Sequence, residues 1–452
     1  MFPVAKIRRD RLSRCIKLLS LHAEDIAAAV NADFGMRSRH LTLLTDVASS
    51  IASLKHAHDH VDEWVRPNRR KVELMLAALG ARAEVQFQPK GVVGVIAPWN
   101  FPVNLVFAPL AGVLAAGNRV MIKPSEHTPQ TSELLAQLIG LFFDETEIAV
   151  ASGGAELGAA FAALPFDHLV FTGGAHVGRQ VMRAAAENLT PVTLELGGKS
   201  PVILAPSADM PKATARIMAG KLMNAGQICL APDYVLVRAD QRDQFVEAAK
   251  FAVRQMYPSL GDNPDYASMI NFSHRDRIAG LVEDARARGA KIVDLNPAGE
   301  DFSRLPHNKA APVLVLNPTD DMTVMQNEIF GPILPVLTYT RIEDAIDYVN
   351  ARPRPLALYA FGENPEETGL IVGATISGGA AVNDVVMHVS VEGLPFGGIG
   401  PSGMGAYHGH DGFLEFSHRR AVFRQTGSDL INLFRPPYGE TFKKFLERRL
   451  KG

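Results

Sequence analysis

Apolar positions recur at helical spacing through the first sixty residues. Ile16, Leu19, Ile26 and Val30 fall on helical repeats with charged residues between them, so residues 5–65 are predicted to be helical. Trp64 precedes Arg66 and Pro67, where that region should end. The period then changes. Ala83, Val85 and Phe87 alternate, and an unbroken apolar run follows from Val92 to Ala97, which reads as two strands. Beyond this, short apolar runs alternate with helical stretches. Strand 119–124 leads to helix 128–142, strand 168–174 leads to a helix from about 176, and strands 191–198 and 200–206 follow. A second series has helix 209–226, strand 234–239, helices 241–255 and 274–288, and strands 291–295, 312–316 and 332–339. Such alternation implies crossover connections and parallel sheets, hence an α/β fold. The last hundred residues are glycine-rich at 376–384 and 393–409, but Pro395, Phe396, Ile399 and Met404 interrupt the glycines. That spacing predicts an ordered loop rather than a flexible linker, with a late strand over 417–425.

Composition narrows the class. A chain of 452 residues, 47% hydrophobic and 21% charged, has room for two or three domains with a substantial core. Basic and acidic residues number 46 and 48, which excludes a broad nucleic-acid surface. The local clusters at 66–71 and 443–452 read as solvated helix faces. Two cysteines cannot build a disulfide framework, so a reducing, cytoplasmic setting is expected. The N-terminus carries no secretory apolar run, and the longest apolar stretch, 105–117, is short and broken by Pro109 and Gly112, so no membrane span is expected. No metal site is expected either.

Six segments carry candidate chemistry, each with a plainer structural alternative. In FTGGAHVG (171–178), Gly173, Gly174 and Gly178 join a strand to a helix whose free N–H groups can take a diphosphate; the alternative is an ordinary strand-to-helix turn. In MIKPSEHTP (121–129), Lys123 ends a strand and Glu126 can accept from ribose hydroxyls, or simply cap a helix. APWNFP (97–102) ends a strand in a loop stiffened by prolines, where the Asn100 amide can donate to an oxyanion or hold a local turn. TLELGGKSP (193–201) sets Glu195 among apolar neighbours, where burial would raise its pKa and suit it to general-base work. NAGQICLAP (224–232) presents Cys229 after small, flexible residues, as a nucleophile or as a small buried hydrophobe. NEIFGPILPV (327–336) places Glu328 and Phe330 before a Gly-Pro turn, able to hold a second ribose and to pack on a nicotinamide.

Taken in order, these segments resemble the aldehyde dehydrogenase superfamily over nearly the whole chain, from APWNFP to PFGGIGPSGMG. The resemblance implies an aldehyde dehydrogenase-like α/β fold: a Rossmann-like cofactor domain, an α/β catalytic domain and a β oligomerisation arm. It implies an NAD-binding domain over 1–195 with 385–412 returning to it, a catalytic domain over 196–384, and arm strands at 81–93 and 416–425. It makes Cys229 the nucleophile, Glu195 the general base, and Asn100, with the Cys229 backbone N–H, the oxyanion hole. Lys123 and Glu126 become adenosine-ribose contacts, Gly173, Gly174 and Gly178 phosphate-loop glycines, and Glu328 and Phe330 the nicotinamide-ribose grip. Pro98, Trp99 and Leu196 join the cofactor set. Gly174 stands where many members carry serine, which removes one hydroxyl contact to the phosphates. The segments 387–409 and 416–423 resemble the branch of fatty- and aromatic-aldehyde enzymes, and 225–237 and 383–398 are most similar to those of bacterial coniferyl aldehyde dehydrogenases. The activity implied is oxidation of an aldehyde, coniferyl or a related aromatic one, to its acid with NAD, or NADP, as cofactor. The alternatives are a medium- or long-chain fatty aldehyde dehydrogenase, a coenzyme A-acylating dehydrogenase, and a non-catalytic NAD-binding protein. A homodimer or homotetramer is implied, and Phe101, Val106, Phe107, Ile228 and His388 are candidates for the aldehyde tunnel wall.

Overall fold

The computed structural model describes residues 4–78, 80–305, 307–425 and 435–451. The chain divides into two compact units, one of residues 1–64 and 89–417, the other of 65–88 and 418–452. The first unit opens with helices Ala5–Leu21, Ala23–Phe34 and Ser49–Trp64, whose apolar stripes bury Leu12, Leu19, Ile26, Val30, Leu54 and Val61. Between the second and third, a short helix Arg39–Thr42 runs into a wide π-type turn Leu43–Ala48 that carries the fully buried Asp46.

A six-stranded sheet follows. Val92–Ile96, Arg119–Lys123, Ile148–Val150, His168–Gly173 and Val192–Leu196 are parallel, and Gly403–Met404 returns antiparallel beside the last of these. Val92–Ile96 is central: the chain builds outward on one side through Arg119–Lys123, then reverses to build the other through His168–Gly173. In such sheets the crevice at the reversal, beyond the carboxyl ends of the strands, is where ligands bind. Helix Asn104–Ala115, the long apolar run of the sequence, is buried along almost its whole length. Among the described residues no helix is long and apolar enough to cross a membrane.

The second sheet of this unit has seven strands. Pro201–Leu204, Tyr234–Arg238, Val313–Leu316, Ile333–Tyr339, Ala357–Phe361 and Gly379–Val382 are parallel; only Lys291–Asp294, at one edge, is antiparallel. Gly379–Val382 lies inside a stretch that the sequence reading treats as loop. Its residues Gly-Ala-Ala-Val are too small to show alternation, and pairing with Ala357–Phe361 makes them a strand. The glycine-rich run 393–409 is ordered, as expected. A Cβ on Gly398 would lie 2.1 Å from the Ser402 carbonyl oxygen, and one on Gly403 2.2 Å from that of Leu194, so backbone crowding requires glycine there.

The second unit is built on a three-stranded sheet ordered Asn68–Arg70, Arg82–Pro89, Ser417–Arg424, with helices Leu74–Ala78 and Glu440–Leu450. The expected arm strand 81–93 is thus two strands. Arg82–Pro89 belongs to this sheet, whereas Val92 and Val93 start the central strand of the six-stranded one.

Candidate active site

One cavity of about 430 Å³ opens at the reversal of the six-stranded sheet. Pro98, Trp99 and Asn100 enter it from the end of the central strand, Thr172, Gly173 and Gly174 from the neighbouring strand end, and Glu195 from the next strand. Cys229, Glu328 and Phe330 reach it on loops that precede strands of the other sheet, and His274, Arg277 and Leu281 from one face of helix Phe272–Ala287. Nine of the residues singled out in the sequence therefore line a single cavity.

Cys229 does not sit on a flexible loop. Asn224, Ala225 and Gly226 take three successive left-handed conformations, with φ of 49°, 52° and 77°. A Cβ on Gly226 would come 2.4 Å from the Gly331 carbonyl oxygen, which explains the glycine. Gln227, fully buried, then fastens the loop: its Nε2 donates to the carbonyls of Asn224 (2.9 Å) and Ser268 (3.0 Å), and its Oε1 accepts from the Ile270 N–H at 3.0 Å. The small residues serve a tight, pinned turn. Cys229 remains half-buried, facing the cavity. Burial pushes its thiol up, the Glu328 and Glu195 carboxylates add to this, and the backbone N–H groups of Cys229 and Leu230 oppose it. Cys15, the other cysteine, is buried in the helical core away from this cavity.

Asn100 is 3% exposed, and its Nδ2 donates to the Gln227 carbonyl oxygen at 3.1 Å. That bond fixes the amide and uses one of its two hydrogens, leaving the other to donate. Glu195 is equally enclosed, and neither carboxylate oxygen has a partner among the described residues. Burial, with a smaller contribution from Glu415, raises its pKa well above the ordinary carboxylate value. An unpartnered buried carboxyl is costly for a fold to keep and is a mark of chemistry.

Glu328 lies against the backbone of Gly197, where a Cβ would be 2.0 Å from its carboxylate oxygen. Burial and Asp233 raise it to about 8, against the Gly198 N–H, Lys199 and Arg277, which lower it. Phe330, at φ 46°, meets Trp99 edge-on at 5.4 Å, and Trp99 meets His274 at 4.9 Å. The segment is held from both sides. Arg277 Nη2 donates to the Ile329 carbonyl at 2.7 Å, and Lys199 Nζ donates to those of Val324 (2.8 Å) and Asn327 (3.0 Å) while pairing with Asp233.

The remaining expected residues lie outside the cavity lining. Lys123 Nζ is bound to Glu126 Oε2 at 2.6 Å and to the Pro124 carbonyl. The two stand together at the carboxyl end of a strand next to the central one. Gly178 and Leu196 pack on each other: a Cβ on Gly178 would be 2.7 Å from Leu196 Cδ2, so this glycine brings helix Ala175–Ala186 close to the sheet. Gly174 is the N-cap of that helix with no side-chain cap, and a Cβ there meets open space. The five tunnel-wall candidates do not line this cavity; Leu105, from the same segment, does. Reasoning from sequence missed Gln227, Thr172, Gly197, Lys199, His274 and Arg277. For His274, Arg277 and Leu281 an i, i+3, i+7 face on the predicted helix was a usable signal. The residues present fit a dinucleotide: free helix N–H groups beside glycines, a carboxylate–lysine pair at a strand end, and a glycine cradle occupied by Glu328.

Residues 4–422 match the sequence pattern of the aldehyde dehydrogenase family. A protein of Caulobacter vibrioides described as "Probable coniferyl aldehyde dehydrogenase" is 58% identical, covering 99% of this chain and 93% of its own. A "Coniferyl aldehyde dehydrogenase" of Pseudomonas sp. strain HR199 is 53% identical, covering 98% and 91%. Among solved structures, substrate-bound Staphylococcus aureus AldH superposes with a TM-score of 0.92 at 37% identity, covering 98% of this chain and 95% of its own. A Mycobacterium tuberculosis aldehyde dehydrogenase complexed with NAD+ gives 0.84 at 28% identity, covering 94% and 86%.

Proposed function

Because the chain belongs to the aldehyde dehydrogenase family, we propose that it oxidises an aldehyde to a carboxylic acid through an adduct on Cys229, with NAD as cofactor and coniferyl or a related aromatic aldehyde as substrate. The observation that carries the reading is the meeting of Cys229, Asn100 and Glu195 in one cavity. Cys229 reacts after its thiol proton is released to solvent: the sulfur attacks the carbonyl carbon, and the oxygen becomes an oxyanion. The free hydrogen of the Asn100 amide and the Cys229 backbone N–H donate to that oxygen. NAD, when bound, supplies the hydride acceptor that lets the thiohemiacetal become a thioester. Glu195 then takes a proton from water as the water attacks the thioester, and the acid leaves with Cys229 restored. A raised pKa makes Glu195 a stronger base once ionised. Hydrolysis rather than acyl transfer to coenzyme A is supported by this dedicated base.

Gly173, Gly174 and the N-terminus of helix Ala175–Ala186 would hold the diphosphate, Lys123 and Glu126 the adenosine ribose, and Glu328 the second ribose, with Phe330, Trp99 and Pro98 about the nicotinamide. Gly178 and Leu196 support this set through helix–sheet packing. The Glu126 carboxylate would repel a 2′-phosphate, which favours NAD over NADP. The two sheets support a division near residue 195 into a cofactor domain, with 385–412 returning to it, and a catalytic domain to 384. We assign the three-stranded sheet to subunit pairing in a homodimer or homotetramer of the cytoplasm. Its strands are largely solvent-accessible in the single chain, with Phe423 52% exposed.

The test is formation of reduced nicotinamide, followed by absorbance, with coniferaldehyde, benzaldehyde and straight-chain aldehydes, for the wild type and Cys229→Ala. The expected result is turnover strongest with coniferaldehyde and absent in the variant. Turnover strongest with long alkyl chains would overturn the substrate assignment. Absence of turnover with every aldehyde, despite measured NAD binding, would overturn the activity.

A further inference from the structure

Arg37 belongs to none of the roles above, yet it reaches the site from the N-terminal helices. It lies two residues after Gly35, whose φ of 74° ends helix Ala23–Phe34, and its side chain is enclosed, with the residue 1% exposed. Nη1 donates to the backbone carbonyl oxygen of Asn100 at 2.7 Å, and Nη2 to Asp46 Oδ2 at 2.6 Å. The guanidinium carbon lies 4.8 Å from the Phe34 ring centre and 4.9 Å from that of Phe101, so aromatic faces enclose it. The second oxygen of Asp46 accepts the N–H groups of Val103 (3.1 Å) and Asn104 (3.3 Å), where helix Asn104–Ala115 begins. The pair thus grips the backbone at Asn100 and just beyond it, at the carbonyl of residue 100 and at the amides of 103 and 104. Asn224 Nδ2, from the cysteine loop, donates to the same Asn100 carbonyl at 3.1 Å.

We propose that Arg37 is a positioning residue for the oxyanion donor: by holding the Asn100 carbonyl it fixes where the Asn100 amide points. The proposal rests on the reading of Asn100 as that donor. Its physical basis is the steep dependence of catalysis on placement, in which a displacement of about 1 Å costs roughly 10²-fold in rate. Lysine is a poor substitute. A compact ammonium cannot span the Asn100 carbonyl and Asp46 in a planar fork while stacking between two rings.

A mutant cycle tests it, with kcat and both KM values measured for the wild type, Arg37→Lys, Asn100→Ala and the double variant, and with NAD binding measured separately. Asn100→Ala should lose about 10²–10³-fold in kcat. Arg37→Lys should lose roughly 10- to 10²-fold in kcat, with KM for NAD and NAD binding unchanged. The double variant should be no slower than Asn100→Ala alone, because the amide that Arg37 aims is gone. A wild-type kcat in Arg37→Lys overturns the proposal, as does a loss that multiplies with that of Asn100→Ala, which marks a general structural role. A wild-type kcat in Asn100→Ala overturns the donor reading and the proposal with it. If Arg37→Lys does not fold, the same cycle is run with Arg37→Met/Asp46→Asn, which removes both buried charges and keeps an oxygen to cap residues 103 and 104.

Discussion

Replacing Glu328 with glutamine should make the protein more stable and a poorer enzyme, and the size of the first effect follows from the burial of the carboxyl. The folded protein raises this group from 4.5 to about 8. A folded-state pKa above the unfolded value means that the native protein holds the proton more tightly. The associated stability is fully present below pH 4.5 and is lost as pH rises through about 8. Each pH unit in that window removes about 1.4 kcal/mol, so the wild type would give up on the order of 5 kcal/mol at most by its upper end. Glutamine has nothing to ionise. The two proteins should therefore melt together near pH 5 and diverge steadily towards pH 8, with the variant higher by several degrees. Thermal unfolding followed by circular dichroism across that range is the assay, repeated at two heating rates so that irreversible unfolding does not masquerade as a shift. Melting curves that stay parallel from pH 5 to 8 would refute the reasoning, because they would mean the carboxyl ionises in the fold at little cost. Above about pH 8, where the wild-type group is ionised, KM for NAD should rise in the same variant, since a neutral amide is a weaker acceptor for ribose hydroxyls than a carboxylate.

Two further predictions concern the same cavity. In steady-state pH profiles, wild-type kcat should rise through a limb well above the ordinary carboxylate range, because Glu195 must lose its proton to act. Glu195→Gln should lose that limb and accumulate acyl-enzyme, detectable by mass spectrometry as a covalent adduct on Cys229. Gly174→Ser should fold normally, since a Cβ there meets open space and the position is an uncapped N-cap. It should add a few tenths of a kcal/mol of helix stability and lower KM for NAD through a new hydroxyl donor near the diphosphate; an unchanged or raised KM in steady-state kinetics would count against that placement.

The residues that were legible in the sequence share a setting. Asn100 and Glu195 lie after or in strongly apolar strands, near the carboxyl ends where chemistry is expected, and Cys229 and Glu328 lie on short loops leading into apolar strands, where a polar side chain stands out. Most of the strands were legible for the same reason, but Ile148–Val150, Ala357–Phe361 and Gly379–Val382 were not read. In Gly379–Val382 four small residues give no periodic signal until a neighbouring strand pairs with them. The supports of the cavity were hidden more deeply. Gln227 binds the backbone of Ser268 and Ile270, Lys199 that of Val324 and Asn327, Arg277 that of Ile329, and Arg37 that of Asn100. A side chain that grips a distant backbone carbonyl or N–H needs no particular residue type at the other end, so the pair leaves no pattern to read. The cysteine loop was misread as flexible on the same account: its small residues fit a sharp left-handed turn, and what pins the turn lies some forty residues further along the chain.

The cavity draws Asn100 and Glu195 from the six-stranded sheet and Cys229 and Glu328 from loops of the seven-stranded one. A chain arrested with only one sheet complete has no site at all, and no fraction of one. Turnover is therefore a head-count of finished molecules. In a refolding or expression experiment, specific activity measures the fraction of chains in which both sheets have formed and met, a quantity that total secondary structure, already high in a half-built chain, would overstate.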